Sequence, residues 1–257
     1  MNGIEGRVAL VTGGGRGIGR AIAIALARAG ADVAVAARTV PEIEAVAAEI
    51  AALGRRTFFF PLDVSDRGQL ARAPGVVAAQ LGPVDVLVNN AGIDASGPVH
   101  RLDDATWDAV LAVNLTAPAL LTRAALPAMY ERGFGRIVNV ASIAGKTGLR
   151  YGAAYAASKH GLVGFTRSLA LEAARKGVTA NCICPGWTET QMMDEAMAAA
   201  AHATGKSEGE IRRALLASTP LGRAALPEEV AEVAVLLARN PAITGQAIHV
   251  DGGEVQG

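Results

Sequence analysis

Short β-branched runs alternate with long alanine-rich runs from one end of this chain to the other, and that alternation narrows the available folds more than any other feature. Residues 7–12 (RVALVT), 32–37 (DVAVAA), 57–62 (TFFFPL), 84–90 (VDVLVNN), 135–142 (GRIVNVAS), 178–184 (VTANCIC) and 246–250 (QAIHV) read as strands. Between them, helical apolar spacing predicts helices over 17–30, 41–53, 66–80, 103–132, 154–177 and 227–238, with Gly30, Gly54 and Gly177 as stops. Strict alternation predicts an α/β fold, a doubly wound parallel sheet of about seven strands in one domain with helices on both faces. Pro74-Gly75 in the third helix, and Pro118 and Pro127 in the long fourth one, predict kinks or early stops.

The 257 residues suffice for one domain with a sizeable core, and 24 basic residues balance 24 acidic ones. Such a balance gives no electrostatic footprint for nucleic acid or an anionic membrane. No uninterrupted apolar run approaches the ~20 residues that span a bilayer. The first residues, MNGIEGRVALVTGGG, lack the basic start and apolar stretch of a signal peptide, so the expected location is the cytoplasm. Cys182 and Cys184 sit two apart in a strand and share a face, which favours buried free thiols over a disulfide or metal ligands. His100, His160, His202 and His249 are scattered without metal spacing.

The turn from the first strand to the first helix is TGGGRGIG. Its glycines Gly13, Gly17 and Gly19, with Gly14 and Gly15 between them, permit a tight turn and bring backbone N–H groups to a helix N-terminus, where a pyrophosphate is favoured. Arg16 and Ile18 belong to the same loop. A dinucleotide fold commonly carries an acid about 20 residues further on, for the adenosine ribose. Here the second strand ends Ala36-Ala37-Arg38-Thr39, and Asp32 lies too far back. Arg38, with Arg16, suits a 2′-phosphate instead, which favours NADP(H) over NAD(H). Asp63-Val64 at the third strand tip is placed for the adenine, and Asn90-Ala91-Gly92 at the fourth for the ribose. Pro185, Gly186, Thr188 and Thr190, after the sixth strand, are placed near the nicotinamide.

The stretch SIAGKTGLRYGAAYAASK brings a hydroxyl, a phenol and an amine to meeting distance. Ser142 ends a strand, and Tyr155 and Lys159 lie one turn apart on one helix face. A free tyrosine, with a pKa of about 10, exchanges protons poorly near neutrality. A neighbouring ammonium favours the phenolate, and a drop of about three units corresponds to roughly 4 kcal/mol. Tyr155 can then exchange a proton with a substrate oxygen that Ser142 hydrogen-bonds. On its own, a Tyr-x-x-x-Lys pair is more often a half-buried aromatic beside a solvated amine.

Taken together, TGGGRGIG, NNAG, Asn114, Ser142, YAASK and PG with its following threonines resemble the short-chain dehydrogenase/reductase family, from about Arg7 to Gly253. The nearest branch is that of 3-oxoacyl-(acyl carrier protein) reductases and related ketoreductases. The resemblance implies Tyr155 as general acid/base, Ser142 polarising the carbonyl, Lys159 on the nicotinamide ribose and Asn114 ordering a water in a proton relay. It also implies a homotetramer built on the helices over 103–132 and 154–177, and substrate choice carried by residues 188–221. That segment reads as a helical lid, with a capping box at Ser207-x-x-Glu210. Trp187, where the family more often has phenylalanine or an aliphatic residue, and Met192 and Met193 are candidate substrate contacts, the methionines equally readable as packing. The expected activity is reduction of a ketone by NADPH. The rivals are NAD-linked oxidation of a secondary alcohol and a sensor that binds a dinucleotide without catalysis.

Overall fold

Four strands are buried along their whole length: β1 (Val8–Thr12), β4 (Val86–Asn89), β5 (Gly135–Val140) and β6 (Val178–Pro185). A sheet built from them needs cover on both faces. The computed structural model, which describes residues 3–256, joins them with β2 (Asp32–Ala37), β3 (Thr57–Pro61) and β7 (Ala247–Val250). The order is β3-β2-β1-β4-β5-β6-β7 and every pairing is parallel. Strand order reverses between β1 and β4, so a crevice opens at the carboxyl ends of these two strands.

One face is covered by α1 (Gly17–Arg28), α2 (Val40–Ala52) and α9 (Pro227–Arg239), through residues such as Ile22, Ile43 and Leu237. The other is covered by α3 (Arg67–Gln80), α5 (Ala117–Arg132) and α6 (Ala153–Ala173), through Leu70, Leu121, Met129 and Leu169. α4 (Asp104–Leu111) precedes α5 on one helical path, Asp104–Arg132, which holds an 18-residue window of mean hydropathy 1.5, apolar enough by itself to allow a membrane crossing. That path instead packs on α3 and α6. The two remaining helices, α7 (Gln191–Thr204) and α8 (Glu208–Leu216), form the segment read as a lid.

The expected proline stops are only partly met. A single π-type turn, Ala112–Thr116, divides α4 from α5, and Pro118 falls in the first turn of α5, where a missing N–H is tolerated. Pro74 and Pro127 lie inside helices that neither stop nor restart. Their flanks carry buried apolar residues, Leu70, Ala73 and Val77 in α3 and Ala125 and Met129 in α5, and this packing holds the helices despite the lost hydrogen bond.

A ladder of buried polar side chains crosses the middle of the sheet. Asn89 Nδ2 donates to Thr122 Oγ1 (3.3 Å) and Asn139 Oδ1 (2.8 Å), and Asn139 Nδ2 donates to Thr166 Oγ1 (2.8 Å). Cys182 Sγ donates to the same Thr166 oxygen (3.1 Å), and burial pushes this thiol up to about 12. Both cysteines are free and buried. Each group of the ladder satisfies its neighbour, so one deletion orphans two. Asn139→Ala is expected to lower unfolding free energy by about 3 kcal/mol in urea titration; a change under about 1 kcal/mol would mean the ladder contributes little.

Candidate active site

The first half of the site is a glycine turn locked to the neighbouring strand. Gly13 has φ +62°, and a Cβ there would lie 2.9 Å from Ala91 Cα, while one on Gly19 would overlap the Gly13 carbonyl oxygen. Only glycine lets the loop close this far. The lock is Thr12, whose hydroxyl accepts from the main-chain N–H of Asn90 (3.1 Å) and Ala91 (3.2 Å). Asn90 Nδ2 in turn donates to the carbonyls of Thr12 and Gly13, both at 3.1 Å. Sequence reasoning missed Thr12. A threonine before a glycine run is a weak signal until the strand beside it is known.

Around this turn the structure distributes the remaining candidates. Arg38 is exposed just past β2, close enough to Asp63 to help hold that carboxyl below its ordinary range, although hydrogen bonds from Ser65 are the larger cause. Asp63 Oδ1 accepts from Ser65 N (2.9 Å) and Ser65 Oγ (2.7 Å). Val64 and Ala91 line a small cavity with Thr12 and Asn89. Arg16, expected to join Arg38, reaches Gln191 at the start of α7 instead. Asp32 is buried and paired with Arg55 and Arg56 at the opposite end of its strand, away from the crevice.

The second half is built around β5. Ser142, two residues beyond the strand, has an extended backbone (φ −174°) and caps a short helical turn, Ile143–Gly145, by accepting from Ala144 N at 3.1 Å. Gly145 lies against α6, where a Cβ would come within 2.8 Å of the Lys159 carbonyl oxygen. That approach delivers the first two turns of α6, with Tyr155 and Lys159, to the tip of β5. Lys159 is buried and its Nζ donates to the Val140 carbonyl at 2.9 Å, lying 5.5 Å from the centre of the Tyr155 ring.

Burial, the largest cause in each case, pushes the Tyr155 phenol up to about 12, with the Ser142 hydroxyl partly offsetting it, and the Lys159 ammonium down to about 8. In the chain by itself the shift of the tyrosine runs upward rather than downward, because desolvation outweighs the Ser142 hydrogen bond and Asp94 adds to it.

Asn114, fully buried in the π-type turn, donates through Nδ2 to Ile93 O (2.8 Å) and Ser158 Oγ (3.1 Å), and its Oδ1 accepts from Ile93 N (2.9 Å). A Cβ on Gly92 would lie 3.4 Å from Asn114 Oδ1 and 3.7 Å from Lys159 Nζ, so Gly92 threads between them. Asp94, exposed on the following loop, acts electrostatically on both Tyr155 and Lys159. Sequence reasoning did not single it out.

Residues 185–190 run from β6 towards α7. Gly186 packs where a Cβ would come within 2.8 Å of Asp251 Cβ, and Thr188 Oγ1 donates to Gly186 O at 3.1 Å. The Ser207–Glu210 capping box is present at α8. Met193 and Met197 are buried against Ile211 and Ala224, with Trp187 packed on this cluster, whereas Met192 is 46% exposed. Met193 thus belongs to the packed core of the α7–α8 pair, whereas Met192 is exposed.

A parallel sheet with a glycine turn at its switch point, and a serine, tyrosine and lysine gathered at an adjacent strand tip, defines a nucleotide-dependent oxidoreductase type of site. Residues 7–201 match the family model described as short chain dehydrogenase, and the chain belongs to that family. It is 38% identical over 251 residues to a 3-oxoacyl-[acyl-carrier-protein] reductase of Escherichia coli, covering 97% of each chain. It is 39% identical over 257 residues to a D-beta-hydroxybutyrate dehydrogenase of Cupriavidus necator, covering 98% of this chain and 99% of the other. Among solved structures, a phenylalanine-to-tryptophan variant of actinorhodin polyketide ketoreductase with NADPH superposes with a TM-score of 0.93 at 40% identity, covering 99% of this chain and 98% of that one.

The Thr12 lock makes a local prediction. Thr12→Val keeps the shape and removes the acceptor, so the amides of Asn90 and Ala91 should exchange with deuterium at least about tenfold faster, as expected for an opening cost lowered by roughly 1–3 kcal/mol. Unchanged protection at both amides would mean that something else holds the turn.

Proposed function

We propose that this protein transfers hydride between NADP(H) and a ketone/secondary alcohol pair, acting as a ketone reductase on a 3-oxoacyl thioester or related carbonyl. The observation that carries the proposal is the convergence of Ser142, Tyr155 and Lys159 beside a backbone cradle closed to any side chain. When bound, the nicotinamide supplies the hydride. Gly15, Arg16, Gly17, Ile18 and Gly19 would hold its pyrophosphate, and Arg38, beyond a strand tip without an acid, its 2′-phosphate. Asp63 and Val64 would meet the adenine, Asn90, Ala91 and Gly92 the ribose, and Pro185, Gly186, Thr188 and Thr190 the nicotinamide side.

The chain's own groups have separable tasks. With its pKa at about 12, Tyr155 is protonated at neutral pH, the form needed to donate to a carbonyl oxygen. Ser142 accepts from Ala144 N, which leaves its hydroxyl proton, now directed at Tyr155, as the donor it would turn to the same oxygen. Lys159 commits one N–H to Val140 and keeps the others for a ribose hydroxyl. Asn114 has both amide protons committed and can offer a relay water only acceptors. Trp187 and Met192 would border the substrate, with Met193 packed behind them.

A second reading, NAD-linked oxidation of a 3-hydroxy acid, is favoured by the hydroxybutyrate dehydrogenase relative. Steady-state rates with NADPH and NADH on a panel of ketones and 3-oxoacyl thioesters separate the two, and parity or an NADH preference would overturn the cofactor assignment. Tyr155→Phe is expected to lower kcat by about 10²- to 10⁴-fold; a loss under about tenfold would remove the phenol from the mechanism. The family resemblance extends the proposal to a homotetramer in the cytoplasm, with α4–α5 and α6 at the interfaces. Leu171 of α6, 87% exposed, is a side chain such contact would cover, and sedimentation velocity reads the assembly.

The pH dependence follows from Lys159. Its charge is present below about 8 and lost above, so kcat/KM for NADPH should be level up to about pH 8 and decline beyond it. A profile still level at pH 9.5, about a unit and a half higher, would show that the ammonium is not what grips the dinucleotide.

A further inference from the structure

The glycine loop and α7 share a contact that neither the catalytic cluster nor the assignments above make use of. Arg16 immediately precedes α1, and its Nη1 donates to Oε1 of Gln191, the first residue of α7. The other end of that amide is also committed: Gln191 Nε2 donates to Glu195 Oε1 at 2.9 Å, one turn along the helix. Glu195 thereby fixes which end of the amide faces the guanidinium.

The loop backbone meets the Thr190 side chain beside this bond. A Cβ on Gly17 would lie 3.2 Å from Thr190 Cγ2, and Thr190 caps α7 by accepting from Met193 N at 3.4 Å. On the far side, Glu189 pairs with Arg212 of α8, and Glu189 N donates to Ala225 O at 2.9 Å. The start of α7 is therefore joined on one side to the glycine loop and on the other to the rest of the lid.

We infer that Gln191 is a positioning residue for the dinucleotide: through Arg16 it straps the lid to the loop, and loop and lid hold the bound cofactor together. The inference rests on the dinucleotide reading above. The choice of side chain fits the task. Gln191 occupies one of the five guanidinium donors with a neutral acceptor, leaving the rest, and the full positive charge, for phosphate oxygens. A carboxylate in its place would compete with the phosphates for that charge.

Stopped-flow measurement of NADPH and NADH dissociation from the full chain, read by cofactor fluorescence, tests this. Gln191→Leu should speed release of both dinucleotides by a similar factor, about three- to tenfold, as expected for one exposed hydrogen bond. In turnover the loss should appear in KM for the dinucleotide more than in kcat. On an Arg16→Ala background the same substitution should add nothing, a result that general loosening of α7 would not give. Glu195→Ala, which frees the amide, should act in the same direction more weakly and serves if Gln191→Leu fails to fold. Release unchanged in the folded variants, an effect confined to NADPH, or an effect that persists without Arg16 would overturn the strap. Wild-type protein that binds neither dinucleotide would overturn the cofactor reading itself, and the strap with it.

Discussion

A buried ammonium sets the terms for the whole catalytic end of this molecule. Taking a lysine out of water costs several kcal/mol unless its protons find partners, and Lys159 finds the Val140 carbonyl at 2.9 Å. The bond ties the first turns of α6 to the end of β5, and Gly145 allows it by letting the turn after β5 touch the α6 backbone. Once these elements are pinned, Ser142 and Tyr155 have little freedom left. The hydroxyl and the phenol are placed by the lysine's need for a partner.

The same burial that positions the groups also sets their protonation. Desolvation raises the phenol and lowers the ammonium, so the chain by itself presents a neutral tyrosine beside a lysine that titrates just above neutrality. A donor preset in this way suits delivery of a proton to an oxygen gaining negative charge. Asp94 adds a carboxylate at the edge of the cluster that favours the protonated form of both groups. Beneath them, Thr166 continues the buried face of α6 that begins with Lys159 and joins it through Asn139 to Asn89, next to the Asn90 that locks the glycine turn. Cofactor loop and catalytic helix thus share one buried polar connection across the sheet.

Much of this was legible in the chain because glycines and β-branched runs punctuate it so regularly. Every expected strand is present, β1 through β7, and the helix limits differ by a few residues; α6, for example, ends at Ala173 and tightens into a short turn before Gly177. What could not be read was whatever depends on two distant segments meeting. Thr12 and Asn139 acquire their roles only when β4 and β5 are laid beside β1 and β6. Prolines 74 and 127 looked like kinks or early stops because local geometry says so, and tertiary packing carries both helices past them. A one-turn spacing from tyrosine to lysine reveals proximity but not how much water both groups have lost, so the upward shift of the phenol in the chain alone was not legible. The contact of Arg16 with Gln191, 175 residues away, was equally beyond a reading of residue types.

The most direct test of the account is a crystal structure of the protein with NADP⁺ and an alcohol product. The account predicts that Lys159 keeps Val140 while meeting the ribose, and that the product oxygen lies about 3 Å from both the Tyr155 and Ser142 hydroxyls, with its carbon facing the nicotinamide. A dinucleotide seated elsewhere, or a product oxygen out of hydrogen-bond reach of Tyr155, would contradict it.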